Sequence, residues 1–504
     1  MIDLKSKPTI YGTITALGFL LAITLVFVLP YDMREPDSWA YYYAAENFSQ
    51  GKLVVDNQLH TQQAAEARAQ GGQLIQYVQI EDNKWALEKA PGYIFFLVPF
   101  ELLGIPRMAN ALLALGMVLV PYILLKRLRD EKTACIGSLL MLFTPVSLIM
   151  LQRSYMAMFA AGSFLVIGGG LYIYYCLEQR RLRPRVGGWL LFLAALFIGW
   201  SVVARYTNLP IAVVFALHFA ITRLRWLLQG QKRQVLLEAI PFCIGIGISL
   251  AVLLIYHNAV FGSPFDYGYN YSRFPIRFAF QYIGQVGQSG GSIAMSIIRG
   301  NLENMPAALF IGFPLLLIAI PGLGFILYQK IAPIFRRRQH SEERPRPWPE
   351  LPWDILLVLI GWFVCVFPLY MLYEWTANPN MQNLSFIVVD RFYLPGLLPM
   401  AIIAALVITK FPIKLTITIL AICVIMGSVL FAQSVLTGIR LPQHVQPPVA
   451  EQQPPKPLSP AMERMINETR QEVKTIPTDE HNIDRRIDVL RLWIGVLINQ
   501  GYPV

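Results

Sequence analysis

Long apolar blocks separated by short polar segments dominate this chain. A block of about 18 or more apolar residues is long enough to cross the hydrocarbon core of a membrane as a helix. We predict eleven such spans, at residues 9–30, 106–125, 133–152, 155–176, 188–204, 208–222, 236–257, 304–328, 353–373, 392–409 and 415–435. Residues 92–103 are apolar but too short to cross, so we expect them to dip into the membrane from one side. The pattern predicts an all-α, polytopic integral membrane protein.

Composition supports this interpretation. Of 504 residues, 55% are hydrophobic and 14% are charged, whereas soluble globular proteins carry about 25% charged residues. A chain of several soluble domains is therefore excluded. The five cysteines all fall in apolar runs without a CxxC pair, which is typical of small core residues and not of a disulfide framework.

The distribution of charge predicts the orientation of the spans. Residues 126–132, 178–185, 223–233 and 330–346 hold 4, 4, 4 and 6 Lys and Arg, whereas residues 31–90 hold nine acids and five bases. Cytoplasmic loops of membrane proteins are enriched in Lys and Arg. We therefore expect the four basic segments inside the cell and the large first loop outside.

The chain after the last span forms a second predicted region. We expect a transmembrane domain at residues 1–435, followed at 436–504 by a proline-rich linker and a small extracytoplasmic helical appendage. The linker covers residues 441–460, and helical spacing follows at 462–474 and 483–500.

Motifs of soluble enzymes are absent: the sequence holds no Walker A, GxSxG, HExxH or Rossmann glycine pattern. The six histidines are scattered without metal-ligand spacing, and the glycine run at 168–170 indicates close helix packing. Any chemistry must come from polar residues at the outer ends of the spans. The richest stretch is residues 36–51, where Asp37 stands among aromatic residues and is suited to accept a proton from a hydroxyl. The alternative is an interfacial aromatic belt with Asp37 as a solvated cap.

The spacing in this stretch resembles a family signature. Asp37, Tyr41, Ala45, Asn47 and Gly51 are similar in spacing to the first-loop pattern of the GT-C glycosyltransferases. These polytopic enzymes use polyprenyl-phosphate sugars, and they include protein O-mannosyltransferases and lipid A aminoarabinose transferases. In that family the acid at the position of Asp37 is the presumed catalytic base.

Three further stretches agree in order. Residues 89–93 (Lys-Ala-Pro-Gly-Tyr) resemble the family's Lys-Pro-Pro-Gly segment, with Ala90 in place of the first proline. Residues 256–269 resemble its "YN…FGSP…GY" loop, and residues 391–399 its "RYLLP…P" start of a late span. One departure matters: many members carry a second acid after the third span, but residues 152–155 (Gln-Arg-Ser-Tyr) hold none.

The resemblance implies roles for individual residues. Asp37 is the expected general base, with Glu35 as the second candidate. Lys89 and Arg391 are expected to contact the leaving phosphate, although a snorkelling lysine and an ion pair of Arg391 with Asp390 are the simpler alternatives.

Four more residues complete the predicted substrate-binding set. For Arg205 we favour anchoring of a helix end over phosphate contact. Arg273 lies in an aromatic loop and either binds sugar or phosphate or only holds the loop. Tyr41 belongs to the first-loop signature, and Tyr93, like Trp39, either stacks on a sugar or belongs to a membrane belt.

The expected function is transfer of a sugar from a polyprenyl-phosphate donor to a lipid, glycan or protein acceptor on the extracytoplasmic face of the cell membrane, with inversion. We expect no cofactor and no nucleic-acid partner; a divalent metal has no support in the sequence. Two other classes stay open. A non-catalytic membrane scaffold, related to these enzymes but degenerate, fits the missing second acid. A transporter would need ionisable residues within the spans, whereas this chain keeps its charges at their ends.

Overall fold

The structure is a computed structural model, and it describes residues 9–29, 33, 36–70, 74–272, 277–283, 288–336, 351–377 and 390–436. Helices account for most of this part of the chain. In chain order they are α1 (Ile10–Val28), α2 (Pro36–Ser49), α3 (Asn57–Ala69), α4 (Gly92–Leu102), α5 (Arg107–Leu128), α6 (Glu131–Leu142), α7 (Pro145–Gln152), α8 (Ala157–Glu178), α9 (Pro184–Ala204), α10 (Leu209–Leu228), α11 (Lys232–Phe261), α12 (Phe280–Ile283), α13 (Gln288–Gly312), α14 (Leu316–Arg336), α15 (Trp353–Met371), α16 (Glu374–Ala377), α17 (Leu397–Ile408) and α18 (Ile413–Leu436). Short 3₁₀ helices cover Tyr206–Asn208, Gly268–Asn270 and Arg391–Gly396.

The predicted membrane-spanning architecture is confirmed. Within the described residues, nine helices are long and apolar enough to cross a membrane, and the count rises to eleven if each of two bent helix pairs is one span. The span at Arg391–Ile408 is central, because 94% of its apolar segment is buried inside the protein. Ile10–Val28 and Ile413–Val435 lie at the periphery, with 17% buried each. All eleven predicted spans therefore have a counterpart in the structure.

Two predicted spans are not straight helices. Residues 133–152 are broken between α6 and α7, which meet at 59°, because Pro145 begins α7 and disfavours helical backbone at Thr144. Residues 304–328 are bent by 96° between α13 and α14, next to Pro314. Helix α13 also begins at Gln288, well before residue 304, where the sequence predicted this span to begin.

The glycine run at 168–170 packs helices closely, as predicted. A Cβ atom added at Gly168 would lie 2.7 Å from the backbone nitrogen of Ile198 in α9, and one at Gly169 would lie 2.6 Å from the Trp362 ring in α15. Small residues at such crossings let helix backbones approach each other. Helix α8 is consequently enclosed by its neighbours.

A small antiparallel sheet in the first loop adds to the predicted all-α architecture. Its strands β1 (Val54–Asp56), β2 (Tyr77–Glu81) and β3 (Lys84–Leu87) are ordered β1-β3-β2, with Val54 opposite Ala86. The β2–β3 connection is a tight turn in which Asn83 has a φ of +59°, a conformation that asparagine tolerates well. Each strand has at most five residues, close to the lower limit at which alternation of apolar and polar positions indicates a strand.

Helix α4 is the short apolar segment that the sequence predicted, with 11 residues. It packs directly on the end of α9: a Cβ atom at Gly92 would lie 2.5 Å from the carbonyl carbon of Val203. The Trp200 indole nitrogen donates a 3.0 Å hydrogen bond to the Gly92 carbonyl oxygen. Lys89 precedes α4 and Arg205 follows α9, and both residues line the same cavity. The predicted linker and appendage begin where the described residues end, so both remain predictions.

Candidate active site

A cavity of about 310 Å³ lies where the first loop meets the ends of several helices. Five residues of the predicted site line it together, although they come from distant parts of the chain: Asp37, Tyr41, Lys89, Arg205 and Arg391. The start of α8 and an aromatic wall formed by residues near 370–375 close the other sides.

Asp37 lies in the first turn of α2 and is only 9% exposed. Arg391 donates a 3.0 Å hydrogen bond from Nη2 to Oδ2 of Asp37, and the Gln76 amide donates to Oδ1. Burial opposes ionisation of this carboxyl, but the charges of Arg391 and Lys89 and the Gln76 hydrogen bond outweigh it, so the pKa of Asp37 lies below its usual value. Asp37 is therefore an anion at neutral pH.

Lys89 lies on the same cavity wall. Its Nζ atom is 3.3 Å from Oε1 of Glu88 and 5.1 Å from the centre of the Tyr269 ring. Burial alone would lower the pKa of Lys89, but Tyr269, Asp37 and Glu88 together raise it above its usual value. Gly268 lies against the backbone of Glu88 with no room for a side chain. The two sequence motifs that hold Lys89 and Tyr269 thus meet at this point.

Aromatic rings support the two arginines of the cavity. The Arg205 guanidinium lies 4.7 Å from the Phe392 ring centre and 5.3 Å from that of Tyr370. Arg391 lies 5.3 Å from the Phe392 ring and 5.9 Å from Trp375. Cations over aromatic faces are attracted by the ring quadrupole. Phe392 therefore contacts both guanidinium groups.

Other predicted residues lie elsewhere. Tyr93 is fully buried and does not line the cavity; its hydroxyl donates to Oδ1 of Asn110 at 3.0 Å and to the Ser154 carbonyl oxygen. Trp39 is also buried and stacks on Tyr43. Both side chains pack the protein interior, and neither is free to stack on a sugar. Whether these rings are available to a sugar depends on their burial, which cannot be read from a single sequence.

Two predicted residues, Glu35 and Arg273, lie outside the described residues. Within the part of the chain that the structure describes, no group of three or more His, Cys, Asp or Glu side chains is placed to hold a metal ion. Near the position of the missing second acid, the Tyr155 hydroxyl donates a 2.9 Å hydrogen bond to Oε2 of Glu101.

Sequence reasoning missed Gln76 and Trp375. Gln76 precedes β2 and donates to Asp37, and its backbone carbonyl accepts from the Glu88 amide at 3.0 Å. That bond ties Gln76 to the residue before Lys89. Neither Gln76 nor Trp375 belongs to any of the four motifs, and no pattern around them signals a contact that the small sheet and α16 create.

Comparison with known proteins supports the fold. No family model and no curated protein matches this sequence. Among solved structures, the chain is similar to the apo oligosaccharyltransferase of Archaeoglobus fulgidus, with a TM-score of 0.51 and 11% identity over 84% of this chain and 56% of that one. The archaeal oligosaccharyltransferase AglB from Archaeoglobus fulgidus, in complex with an inhibitory peptide and a dolichol-phosphate, gives a TM-score of 0.50, with 11% identity over 84% of this chain and 56% of that one. ArnT from Cupriavidus metallidurans bound to undecaprenyl phosphate gives 0.48, with 13% identity over 80% of this chain and 61% of that one.

These matches define the class of fold. The chain is an all-α polytopic membrane protein whose fold is similar to that of the archaeal oligosaccharyltransferase, and the fold that the resemblance to the GT-C glycosyltransferases implied is confirmed. The chain spans 56% of the length of the oligosaccharyltransferase that it matches. At 11% identity the likeness concerns the fold alone, and activity has to be argued from the cavity.

Proposed function

We propose that the protein is a glycosyltransferase that moves a sugar from a polyprenyl-phosphate-linked donor to a hydroxyl group of a lipid, glycan or protein acceptor. One observation carries the proposal: an anionic, buried Asp37 shares a single cavity with Lys89, Arg205 and Arg391. Transfer from a sugar phosphate needs a proton acceptor and positive charge for the leaving group at one centre.

The acceptor oxygen attacks the anomeric carbon on the face opposite the phosphate, so the configuration inverts. Its proton passes to Asp37, and the bond between the anomeric carbon and the phosphate oxygen breaks, leaving prenyl phosphate. Because the pKa of Asp37 is depressed, the carboxylate is a weak base. It takes the proton late, when bond formation to the sugar has already made the hydroxyl acidic.

The same geometry weighs against a scaffold. Burying Asp37 and Arg391, whose side chains are 12% and 7% exposed, costs desolvation energy that packed apolar residues of similar volume would avoid. A scaffold needs only a stable contact, which apolar residues would supply, whereas a catalyst uses the two charges. The buried charges of this cavity give no specific support to the transporter alternative.

We further propose that the cavity faces the extracytoplasmic side. The first loop, which supplies Asp37, Gln76 and Lys89, is the acidic segment, and the basic segments fall at the opposite ends of the spans. The positive-inside rule assigns the basic ends to the cytoplasm.

The test is transfer of radiolabelled sugar from polyprenyl-phosphate donors in membranes that contain the full chain. Asp37→Asn keeps the size of the side chain but cannot take a proton, so transfer should fall about 10²–10⁴-fold. Asp82→Asn, which alters an exposed carboxylate in the β2–β3 turn of the same loop, should leave transfer unchanged. Undiminished transfer by Asp37→Asn would remove the proposed base. A folded wild-type protein that transfers nothing from any donor offered would overturn the enzyme proposal in favour of the scaffold.

A further inference from the structure

Arg205 differs from the other cations of the cavity in its partners. It is 9% exposed and lines the cavity. Lys89 is paired with Glu88 at 3.3 Å, and Arg391 with Asp37 at 3.0 Å. No ion pair of Arg205 is found among the described residues, and its buried Nη1 atom has no hydrogen-bond partner there.

An unpaired buried guanidinium is costly unless a ligand completes it. The Phe392 and Tyr370 rings support its face, but they accept no conventional hydrogen bond from its edge. The edge is thus the part of Arg205 that lacks a partner. Oxyanions, and phosphate above all, match the fork of donors that a guanidinium edge presents.

The start of α8 adds to the same wall. Met156, Ala157 and Met158 line the cavity, and α8, a helix of 22 residues, has no side-chain cap at its first turn. The first amide groups of a helix lack intrahelical partners and carry partial positive charge, which favours an anion. Arg205 and the first turn of α8, which lacks a side-chain cap, therefore line one cavity.

The charge of the cavity limits what the anion is. Within its described lining, three cations (Lys89, Arg205, Arg391) accompany two carboxylates (Asp37, Glu88), an excess of one positive charge. A prenyl phosphodiester carries one negative charge and would neutralise this excess. A diphosphate diester carries two, so one of them would be buried without compensation.

We infer that Arg205 and the first turn of α8 form the phosphate subsite, and that the donor is a prenyl sugar with a single phosphate and not a diphosphate. This inference rests on the proposed function and narrows its substrate class. It also assigns phosphate contact to a residue for which the sequence favoured anchoring.

The experiment measures binding to the purified full chain in an uncharged detergent by isothermal titration calorimetry. The probes are a C15 prenyl methyl phosphate, which has one charge, the corresponding methyl diphosphate, which has two, and a short-chain phosphatidylglycerol, a phosphodiester without a prenyl group. The monophosphate should bind at least about tenfold more tightly than the diphosphate, since a buried uncompensated charge is strongly unfavourable. It should also bind more tightly than phosphatidylglycerol if the site takes a prenyl donor.

Arg205→Gln should weaken binding of the prenyl monophosphate about 10- to 100-fold, the usual range for a lost charged hydrogen bond. Arg205→Lys keeps the charge and should lose less. The control Arg299→Gln removes an exposed arginine on α13 and should bind like the wild type. If Arg205→Gln does not fold, the lysine variant and the ranking of the three probes on the wild type still decide.

Unchanged binding by Arg205→Gln, or tighter binding of the diphosphate, would overturn the inference. If the separate assay still detects sugar transfer, the proposed function would stand in either case. Equal binding of phosphatidylglycerol would overturn the assignment to a prenyl donor. A wild-type protein that binds neither prenyl probe yet is folded would overturn the inference, and absence of transfer in the separate assay would overturn the proposed function as well.

Discussion

Arg391 Nη2 lies 3.0 Å from Oδ2 of Asp37, and this hydrogen-bonded ion pair joins residues that are 354 positions apart in the chain. It ties the first loop to the start of the last central span. Because both side chains are nearly buried, each one compensates a charge that would otherwise be unfavourable in the protein interior. The pair therefore contributes to the fold as well as to the cavity.

A double-mutant cycle should detect this coupling. Arg391→Gln or Asp37→Asn alone should destabilise the protein by about 3 kcal/mol, since each leaves a buried charge without its partner. The double variant should be destabilised by clearly less than the sum. Unfolding in mixed micelles with increasing denaturant gives the four free energies. The exposed pair Arg299–Glu303 is the control and should show no measurable coupling. Additive effects at Asp37 and Arg391 would contradict the interaction.

The membrane spans could be predicted from the sequence because an apolar run of membrane-spanning length has few alternative interpretations. It did not reveal the bends at Pro145 and Pro314, because a proline inside an apolar run is compatible with a kinked helix as well as with a broken one. The strands of the first loop were missed because each has at most five residues, close to the lower limit at which alternation indicates a strand.

Part of the candidate site could be predicted because several of its residues belong to sequence motifs. The motifs contain Asp37, Lys89 and Arg391, and these residues do line one cavity. The contacts of Gln76 and Trp375 depend on how separate elements pack, and nothing in their local sequence encodes that. Tyr93 is buried in the interior and does not line the cavity, and this too depends on packing that its local sequence does not encode.

Orientation in the membrane can be tested with introduced cysteines. Asp82→Cys lies in the exposed β2–β3 turn, and Gln229→Cys lies in the exposed α10–α11 connection. A membrane-impermeant maleimide should label Asp82→Cys in intact cells and label Gln229→Cys only after permeabilisation, because Arg223–Arg233 is one of the basic segments. The wild-type protein, which has only the five native cysteines, is the control for background labelling. The reverse pattern would invert the proposed orientation of the cavity.

Close packing of α4 on α9 predicts an effect of adding one methyl group. Gly92→Ala would place its Cβ 2.5 Å from the carbonyl carbon of Val203, and backbone atoms cannot move aside as a flexible side chain can. We expect a loss of about 1–3 kcal/mol, typical of overpacking, seen as a lower midpoint of thermal unfolding in detergent. Gly247→Ala is the matched control, because nothing lies within 4 Å of its added Cβ in helix α11. Equal unfolding midpoints for the two variants would show that α4 is not packed this tightly.

Under the proposed function, Gln76 should set the pH range in which sugar transfer occurs. In the wild type, burial raises the pKa of Asp37, but Arg391, Lys89 and the Gln76 hydrogen bond outweigh it, so this pKa lies below 3.8. Asp37 is then ionised throughout pH 5–8, and its titration gives no acidic limb to the transfer rate over that range. Gln76→Glu removes the donor and places a second carboxyl against the first. Two carboxyls that share a site cannot both ionise easily, so one pKa of the pair rises strongly.

The expected result for Gln76→Glu is a transfer rate that falls as the pH is lowered through this raised pKa, because protonation removes the base. Transfer rates from pH 5 to 8 measure it, with saturating donor so that a change in binding does not imitate a change in catalysis. Gln79→Glu adds the same charge at an exposed position of β2 and should keep the wild-type profile. Gln76→Met, which removes the donor without adding a charge, should shift the profile in the same direction by less. A flat profile for Gln76→Glu, with transfer intact, would mean that Gln76 does not contact the proposed base during transfer.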